Sequence, residues 1–167
     1  PSVLQTMYRV HPYEEPAFEV YDLNPASNGT KVEGIGRIGH LAEPLELSTF
    51  INRVKSAFHL NHLKVIKANG LSNKQLISRV AICGGSAEKL YRDALAKGAD
   101  VFITGDVYYH TAHDMQESGL IVLDPGHHIE VLFADKLKEK YEQWKLANKW
   151  QVDLMVSTVN TDPFEII

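Results

Sequence analysis

The chain has 167 residues, of which 44% are hydrophobic and 23% are charged, and its formal net charge is −4. This composition is typical of a soluble globular protein with an ordinary core, and the acidic balance offers no general basic surface for nucleic acid or for an anionic membrane. No apolar run approaches the roughly 20 residues of a membrane-spanning helix, and the first residues lack the pattern of a secretory signal. The single cysteine, Cys83, excludes an intramolecular disulfide, which favours a cytoplasmic location.

The first part of the chain predicts a helix, a strand and a glycine-rich junction before the first long helix. Apolar residues at helical spacing predict a helix over 2–10, and alternation of apolar with acidic residues predicts a strand over 16–23. The segment 32–44, with its three glycines, predicts an irregular strand at the junction of two structural units. A helix over 47–60 would be capped by Ser48. Its predicted apolar face consists of Phe50, Ile51, Val54, Ala57 and Phe58.

From residue 61 onward, predicted strands and helices alternate. The strands are apolar runs over 62–68, 78–83, 100–106, 120–126 and 151–159. The helices are amphipathic segments over 86–98, 110–119 and 127–149, of which the first would begin at Ser86 and end at Gly98. Because apolar strands alternate with helices, the sequence predicts an α/β fold: a layered sheet with helices on both faces.

Polar side chains gather where two of these strands end. Four of the eight histidines lie between residues 105 and 130, and Asp106 and Asp124 each close an apolar strand. Ligands of open α/β sheets bind outside the carboxyl ends of the strands, so a site is expected here. His110 and His113, three residues apart in a predicted helix, would share one helix face.

His127 and Glu130 are also three residues apart, at the start of the last predicted helix. An imidazole and a carboxylate at this spacing can both reach one divalent ion, although the positive end of a helix disfavours a cation unless carboxylates offset it. The pattern leaves three interpretations open: a metal site, an acid–base site without metal, and structural or exposed histidines. His128 would lie on another side of the helix, so it is interpreted as structural or exposed.

Two further motifs have both a functional and a structural interpretation. In "AICGGSAEKL", backbone N–H groups after the glycines could hold a phosphate, but no Lys-Ser/Thr follows as in a Walker A loop. A glycine-requiring turn, with Cys83 as a small buried residue, is favoured there. "HPYEEP" could contact a small ligand or an interface, and a rigid connector between helix and strand is favoured.

Six segments occur in an order that identifies a family. They are "RVHPYEEPAFEVYDL", "GIGRIGHL", "AICGGSAEKL", "GADVFITGDVYYHTAHD", "GLIVLDPGHHIE" and "STVNTDPF". Together they resemble the Nif-three-like family, whose bacterial members are called type-two GTP cyclohydrolase I homologues. The resemblance covers essentially the whole chain. Its most specific parts are the Thr-Gly-Asp stretch with the following His residues, the Gly-His-x-x-Glu stretch and the closing Thr-Asp-Pro-Phe.

The resemblance implies a two-part chain within a larger assembly. Members of the family have two similar α/β lobes with two divalent metal ions in the cleft between them, and they assemble into ring-like homohexamers. Residues 1–33 would then be the C-terminal part of an inserted α+β domain resembling PII and CutA proteins. Residues 34–167 would be the second α/β lobe, which carries part of the metal site.

The resemblance also implies roles for five residues. His127 and Glu130 would be metal ligands, His110 and His113 would line the cleft as catalytic proton-transfer groups, and Asp106 would orient them or a bound water. The family's other ligands come from a His-His-Pro stretch and a His…Asp stretch that are absent here. The chain is therefore expected to be the C-terminal part of a longer protein, with an incomplete metal site of its own.

The function implied is metal-dependent hydrolase or cyclohydrolase chemistry on a nucleotide-like small molecule. Nitrogen and oxygen ligands suit Zn, Fe or Mn. The alternative is a non-catalytic, metal-binding regulatory or scaffold protein whose insert binds a signal. A third interpretation is a plain assembly domain in which the histidines are incidental.

Overall fold

The computed structural model describes residues 2–13 and 34–166, and the chain divides into two units, Pro1–Glu33 and Gly34–Ile167. In the first unit, helix α1 covers Ser2–Val10, as the apolar spacing predicted. The predicted strand over 16–23 lies outside the described residues. The division falls between residues 33 and 34 of the chain. The assignment of residues 1–33 to a PII/CutA-like insert and of residues 34–167 to a second lobe stays a prediction.

The second unit is built on a mixed five-stranded sheet. Its strands are β1 (Arg37–Glu46), β2 (Lys64–Ile66), β3 (Leu76–Ile82), β4 (Val101–Ile103) and β5 (Ile121–Asp124). They lie in the order β1-β3-β4-β5-β2. The three central strands, β3, β4 and β5, are parallel, and β1 and β2 pair antiparallel at the two edges. The carboxyl ends of the central strands therefore meet at one edge of the sheet, where a site was expected.

Helices cover both faces of this sheet. Helix α2 (Leu47–Ala57) packs on one face, and α3 (Tyr91–Ala96) and α4 (Tyr109–Glu117) pack on the other. There are 3₁₀ turns at Glu88–Leu90 and His127–Val131. Helix α5 (Leu132–Asn148) follows the second turn and has no buried residue. In β4, Val101 packs in the core beneath Phe50 of α2, and the next residue, Phe102, packs in the opposite core with Met115 of α4. Each such buried side chain contributes about 1.5–3 kcal/mol to folding. The predicted layered α/β sheet is confirmed.

One predicted helix cap and one predicted helix start are wrong, and tertiary contacts explain both. Helix α2 begins at Leu47 without a side-chain cap, and Ser48 lies in its first turn, where the Ser48 N–H donates to the Asn73 carbonyl at 3.0 Å. The segment from Ser86 forms only a 3₁₀ turn before α3, because Thr104 Oγ1 accepts a hydrogen bond from the Ala87 N–H at 3.0 Å. The backbone groups that a cap would satisfy are already bonded to neighbouring loops.

The predicted last strand over 151–159 is also wrong. This segment has no regular secondary structure, and no neighbouring strand among residues 34–166 supplies the hydrogen bonds that a strand requires. Its alternation is nevertheless visible, because Leu154 and Val156 are half-buried while Asp153 and Met155 are exposed. Within the two described ranges, no helix combines the length and the apolar content of a bilayer span.

Candidate metal centre

The candidate site lies in the loops that leave the carboxyl ends of β3, β4 and β5. Glycines allow these loops to touch. The Gly105 N–H donates to the Gly85 carbonyl at 2.9 Å, and a Cβ on Gly105 would lie 2.7 Å from the Gly126 carbonyl oxygen. Because these backbones are in contact, Asp106 after β4 and His127 after β5 are brought together.

His127 lies between two carboxylates. Its Nδ1 is 2.6 Å from Asp106 Oδ2, and its Nε2 is 3.3 Å from Glu130 Oε2. Because an ionised carboxylate can only accept, the ring donates its Nδ1–H to Asp106. The predicted pairing of His127 with Glu130 is present, although on a 3₁₀ turn rather than an α-helix. In a 3₁₀ turn, residues three apart lie directly above one another, which favours this contact.

The electrostatics of this arrangement favour a positive charge between His127 and Glu130. The pKa of His127 is raised above its ordinary value of 6.5, mainly by the hydrogen bond to Asp106 and further by the charges of Asp106 and Glu130. With Nδ1–H directed to Asp106, an unprotonated Nε2 would point its lone pair at the Glu130 carboxylate. A proton on Nε2 removes this repulsion, and a metal cation would remove it in the same way.

The donor chemistry of the His127–Glu130 pair fits a divalent metal ion. Such ions bind imidazole nitrogen and carboxylate oxygen at about 2.0–2.2 Å, so two neighbouring ligands of one ion lie about 3 Å apart. The 3.3 Å separation of Nε2 and Oε2 is close to this value. Asp106, on the other ring nitrogen, matches the carboxylate that commonly orients a metal-bound histidine. Within residues 2–13 and 34–166, no group of three or more His, Cys, Asp or Glu side chains could hold an ion, so further ligands are needed.

Asp106 is held in an unusual backbone conformation. Its φ is 54°, in the left-handed region, which costs a residue with a Cβ about 1 kcal/mol. The two peptides that follow are fixed by buried carboxylates: the Val107 N–H donates to Asp124 Oδ2 at 3.3 Å, and the Tyr108 N–H donates to Glu88 Oε2 at 2.8 Å. These bonds keep the Asp106 carboxylate directed at His127.

The other two predicted site histidines contact an aromatic side chain of their own helix. His110 and His113, on α4, pack edge-on against the Tyr109 ring, with centroids 5.5 and 4.7 Å apart. No hydrogen bond or ion pair in the described part of the chain joins either of them to His127. His128 is half-buried in the 3₁₀ turn.

Sequence reasoning missed the side chains that hold the loops. The sequence predicted that Asp124 would lie at the site, because it ends an apolar strand. In the structure Asp124 is only 2% exposed, and its carboxylate accepts hydrogen bonds from loop backbone instead of facing the site. Thr104 and Glu88 were not singled out, although both are buried and bond to loop amides. The available signal was a polar residue, Thr104, at the end of the apolar run over 101–103.

The glycine turn after β3 contacts the side chain of Glu130. A Cβ on Gly85 would lie 2.5 Å from Glu130 Oε1, so the carboxylate rests against the glycine backbone. A phosphate at this turn would meet that negative charge, which disfavours the phosphate-binding interpretation. Cys83 is buried at 8% exposure, as predicted.

An open groove adjoins Glu130. Its volume is about 460 Å³, within the range of small-molecule sites. Its walls are apolar and come from Phe58, Ile82, Ile129, Leu132 and Phe133. A ligand in this groove would lie against Glu130.

The fold and the site together define an α/β protein with a candidate divalent-metal centre at the carboxyl ends of its parallel strands. The chain belongs to the Duf34/NIF3 (NGG1p interacting factor 3) family, whose sequence model matches residues 4–163. The resemblance inferred from the sequence motifs is therefore confirmed. This match does not support the further expectation that the chain is specifically a C-terminal part.

Relatives and solved structures agree with this assignment. The chain is 48% identical to a GTP cyclohydrolase 1 type 2 homolog of Streptococcus pneumoniae over 134 residues, which are 80% of this chain and 50% of the relative. It is 42% identical to the homolog of Halalkalibacterium halodurans over 166 residues, 99% of this chain and 43% of the relative. It is also similar to the crystal structure of a Bacillus cereus protein related to NIF3, with 35% identity and a TM-score of 0.76. This similarity covers 99% of this chain and 44% of the Bacillus cereus chain. The chain thus spans about half the length of the relatives that it matches.

Proposed function

We propose that this chain contributes His127 and Glu130 to a divalent metal centre that carries out hydrolase or cyclohydrolase-type chemistry on a nucleotide-like small molecule. The observation that carries the proposal is the position of His127, with Asp106 at one ring nitrogen and Glu130 3.3 Å from the other. The name "GTP cyclohydrolase 1 type 2 homolog" of the relatives supports the substrate class. The resemblance extends the proposal to two ions per site, a ring-like homohexamer and a cytoplasmic location.

The contacts of each residue in the centre indicate its proposed role. His127 and Glu130 hold the ion, and Asp106 fixes the tautomer and the direction of the His127 ring. The ion, when bound, supplies a Lewis acid that polarises the substrate and lowers the pKa of water. Because one histidine and one carboxylate leave coordination positions open, donors beyond this pair complete the site.

His110 and His113 are proposed to transfer protons to and from the substrate. Both rings are exposed on α4, the helix that follows the Asp106 loop, and both lie against Tyr109. Histidine is the side chain that most often serves as a general acid or base in catalysis. The apolar groove beside Glu130 is proposed to hold the flat base of the substrate.

The proposal is tested by assaying the protein, loaded with Mn, Fe or Zn, against a panel of nucleotides. His127→Ala and Glu130→Ala should abolish turnover, and His110→Ala or His113→Ala should lower kcat while leaving metal content unchanged. Glu139→Ala is the matched control, because Glu139 is an exposed carboxylate on α5 that pairs with Lys136. Wild-type turnover in both the His127→Ala and the Glu130→Ala proteins would refute the assignment.

A non-catalytic metal-binding regulatory or scaffold protein is the second candidate. The observation that favours it is that neither His110 nor His113 makes a hydrogen bond to His127 among the described residues, and both instead pack against Tyr109. Tight metal binding together with no turnover of any nucleotide in the panel would favour this candidate.

A further inference from the structure

The buried polar side chains of the second unit are concentrated beside the candidate metal centre. Among residues 34–166, three polar or charged side chains are buried: Glu88, Thr104 and Asp124. Each accepts a hydrogen bond from a backbone N–H in one of the loops at the carboxyl ends of β3, β4 and β5. Buried polar groups are retained where their hydrogen bonds fix a particular conformation, so these bonds indicate a rigid frame for the loops.

Asp124 is the member of this frame that joins the two loops of the His127–Asp106 pair. Its Oδ1 accepts the Gly126 N–H at 2.9 Å, one residue before His127. Its Oδ2 accepts the Val107 N–H at 3.3 Å, one residue after Asp106. One carboxylate therefore fixes the peptides next to both partners of the 2.6 Å hydrogen bond.

An ion pair with Lys64 offsets the cost of burying the Asp124 carboxylate. Lys64 Nζ lies 2.8 Å from Asp124 Oδ2, and the Asp124 side chain is only 1% exposed whereas that of Lys64 is 73% exposed. A buried carboxylate without a partner charge would be strongly destabilising. Lys64 is the first residue of the edge strand β2 and faces Asp124 in the sheet register, so the sheet itself brings the two together.

We propose that Asp124 is a positioning residue of the metal centre. It holds the loops of Asp106 and His127 at the distance that allows their hydrogen bond, so that His127 Nε2 faces Glu130. The proposal rests on the proposed function, because the centre that Asp124 positions is the one formed by His127 and Glu130. It predicts that the orientation of the His127 ring depends on Asp124, although the two side chains share no hydrogen bond in the structure.

Asp124→Asn is the variant that separates positioning from simple folding. Asparagine keeps the size of the side chain but offers one oxygen, and its NH₂ group must face either the Gly126 N–H or both the Val107 N–H and the Lys64 ammonium. One of the two loops is therefore released. The control is Asp100→Asn at the opposite end of β4: Asp100 accepts the Ser78 and Arg79 N–H groups at 2.8 and 2.7 Å through Oδ2 alone, so the amide oxygen can keep both bonds while the charge is lost.

The experiment records the ¹⁵N ring signals of His127 at a pH where the ring is neutral, and the affinity for Zn²⁺ by calorimetry, for the wild type and both variants. Thermal unfolding of each protein measures the cost to the fold. We expect a single Nδ1–H tautomer in the wild type and in Asp100→Asn, and averaged tautomers in Asp124→Asn. Zinc affinity should fall about 10–100-fold in Asp124→Asn alone.

An unchanged His127 spectrum in Asp124→Asn, or an equal change in Asp100→Asn, overturns the proposal. If the wild type binds no zinc, the proposed function fails, and the ring spectra still decide whether Asp124 positions His127. If Asp124→Asn does not fold, the double variant Lys64→Met/Asp124→Asn replaces it, because the ammonium no longer faces the new NH₂ group. The same loss of a single tautomer is expected there, and its absence overturns the proposal equally.

Discussion

The carboxylate of Glu130 lies against the backbone of Gly85, so close that a Cβ on Gly85 would be 2.5 Å from Glu130 Oε1. Gly85 also has a φ of +63°, a conformation that residues with a Cβ rarely adopt. The glycine is therefore needed twice, once for the turn after β3 and once to leave room for Glu130. This contact connects the glycine-rich loop of the sequence to the proposed metal ligands.

Gly85→Ala is predicted to displace Glu130 and to weaken metal binding. The new methyl group meets the end of a flexible side chain, so Glu130 moves aside while the fold bears mainly the backbone strain of about 1 kcal/mol. Gly98→Ala is the control, because Gly98 has a φ of +71° but nothing within 4 Å of its Cβ position. Chemical denaturation and a zinc titration should show similar losses of stability in both variants and a loss of affinity in Gly85→Ala alone. Equal zinc affinities would contradict the prediction.

Gly105→Ala is predicted to damage the fold more than Gly85→Ala or Gly98→Ala. Its Cβ would lie 2.7 Å from the Gly126 carbonyl oxygen and 3.0 Å from the His127 nitrogen, which are backbone atoms that cannot rotate away. Such overpacking costs about 1–3 kcal/mol. Gly84→Ala, with open space around the Cβ position, should change the unfolding free energy by less than about 0.5 kcal/mol. Denaturant unfolding gives the unfolding free energies of the Gly105→Ala and Gly84→Ala proteins. Equal values would contradict the tight contact of Gly105 with the loop that contains Gly126 and His127.

Asp106→Asn is predicted to lower the pKa of His127. The hydrogen bond from His127 to Asp106 is the main cause of the raised pKa, and the amide carries no charge. Asparagine tolerates the left-handed φ of 54°, so the backbone should be kept. In an NMR titration, the pKa of His127 should move toward 6.5 in this variant. It should keep the wild-type value in the control Asp135→Asn, because Asp135 is an exposed carboxylate on α5. A pKa unaffected by Asp106→Asn would remove the proposed orienting role.

The raised pKa of His127 also predicts how stability and metal binding change with pH. Because the folded-state pKa lies above the unfolded value of 6.5, protonated His127 stabilises the fold fully below pH 6.5. This contribution is lost as the pH rises through the folded-state pKa. Zinc requires the unprotonated Nε2, so its affinity should instead increase over that same interval. Zinc affinity that is constant across the interval would mean that His127 is not a ligand.

Much of the fold could be predicted from local sequence patterns. The spacing of apolar residues predicted helix α1 at its observed bounds, and the strand predicted over 100–106 contains the shorter buried strand β4 (Val101–Ile103). The strand over 151–159 failed for a different reason: alternation of Leu154 and Val156 with polar residues is local, but a strand also needs a neighbour. The Ser48 cap and the helix start at Ser86 were wrong because distant loops bind the local backbone groups.

The candidate site could be predicted only in part. The spacing of His127 and Glu130 and the strand-end position of Asp106 are visible in the sequence, and these three side chains meet. The contact of Glu130 with Gly85 was not predictable, because it depends on how the loops after β3 and β5 approach each other. The same holds for Asp124, whose role depends on two amides in different loops.

Calorimetric titration of the 167-residue chain with Zn²⁺ tests the central claim most directly, comparing the wild type with His127→Ala, Glu130→Gln and His128→Ala. His128 is the matched control, because it is the neighbouring histidine in the same 3₁₀ turn. We predict that the wild type and His128→Ala bind zinc with the same affinity and that the other two variants lose more than about a factor of ten, or 1.4 kcal/mol. Wild-type affinity in His127→Ala would contradict the assignment of a metal centre to His127 and Glu130.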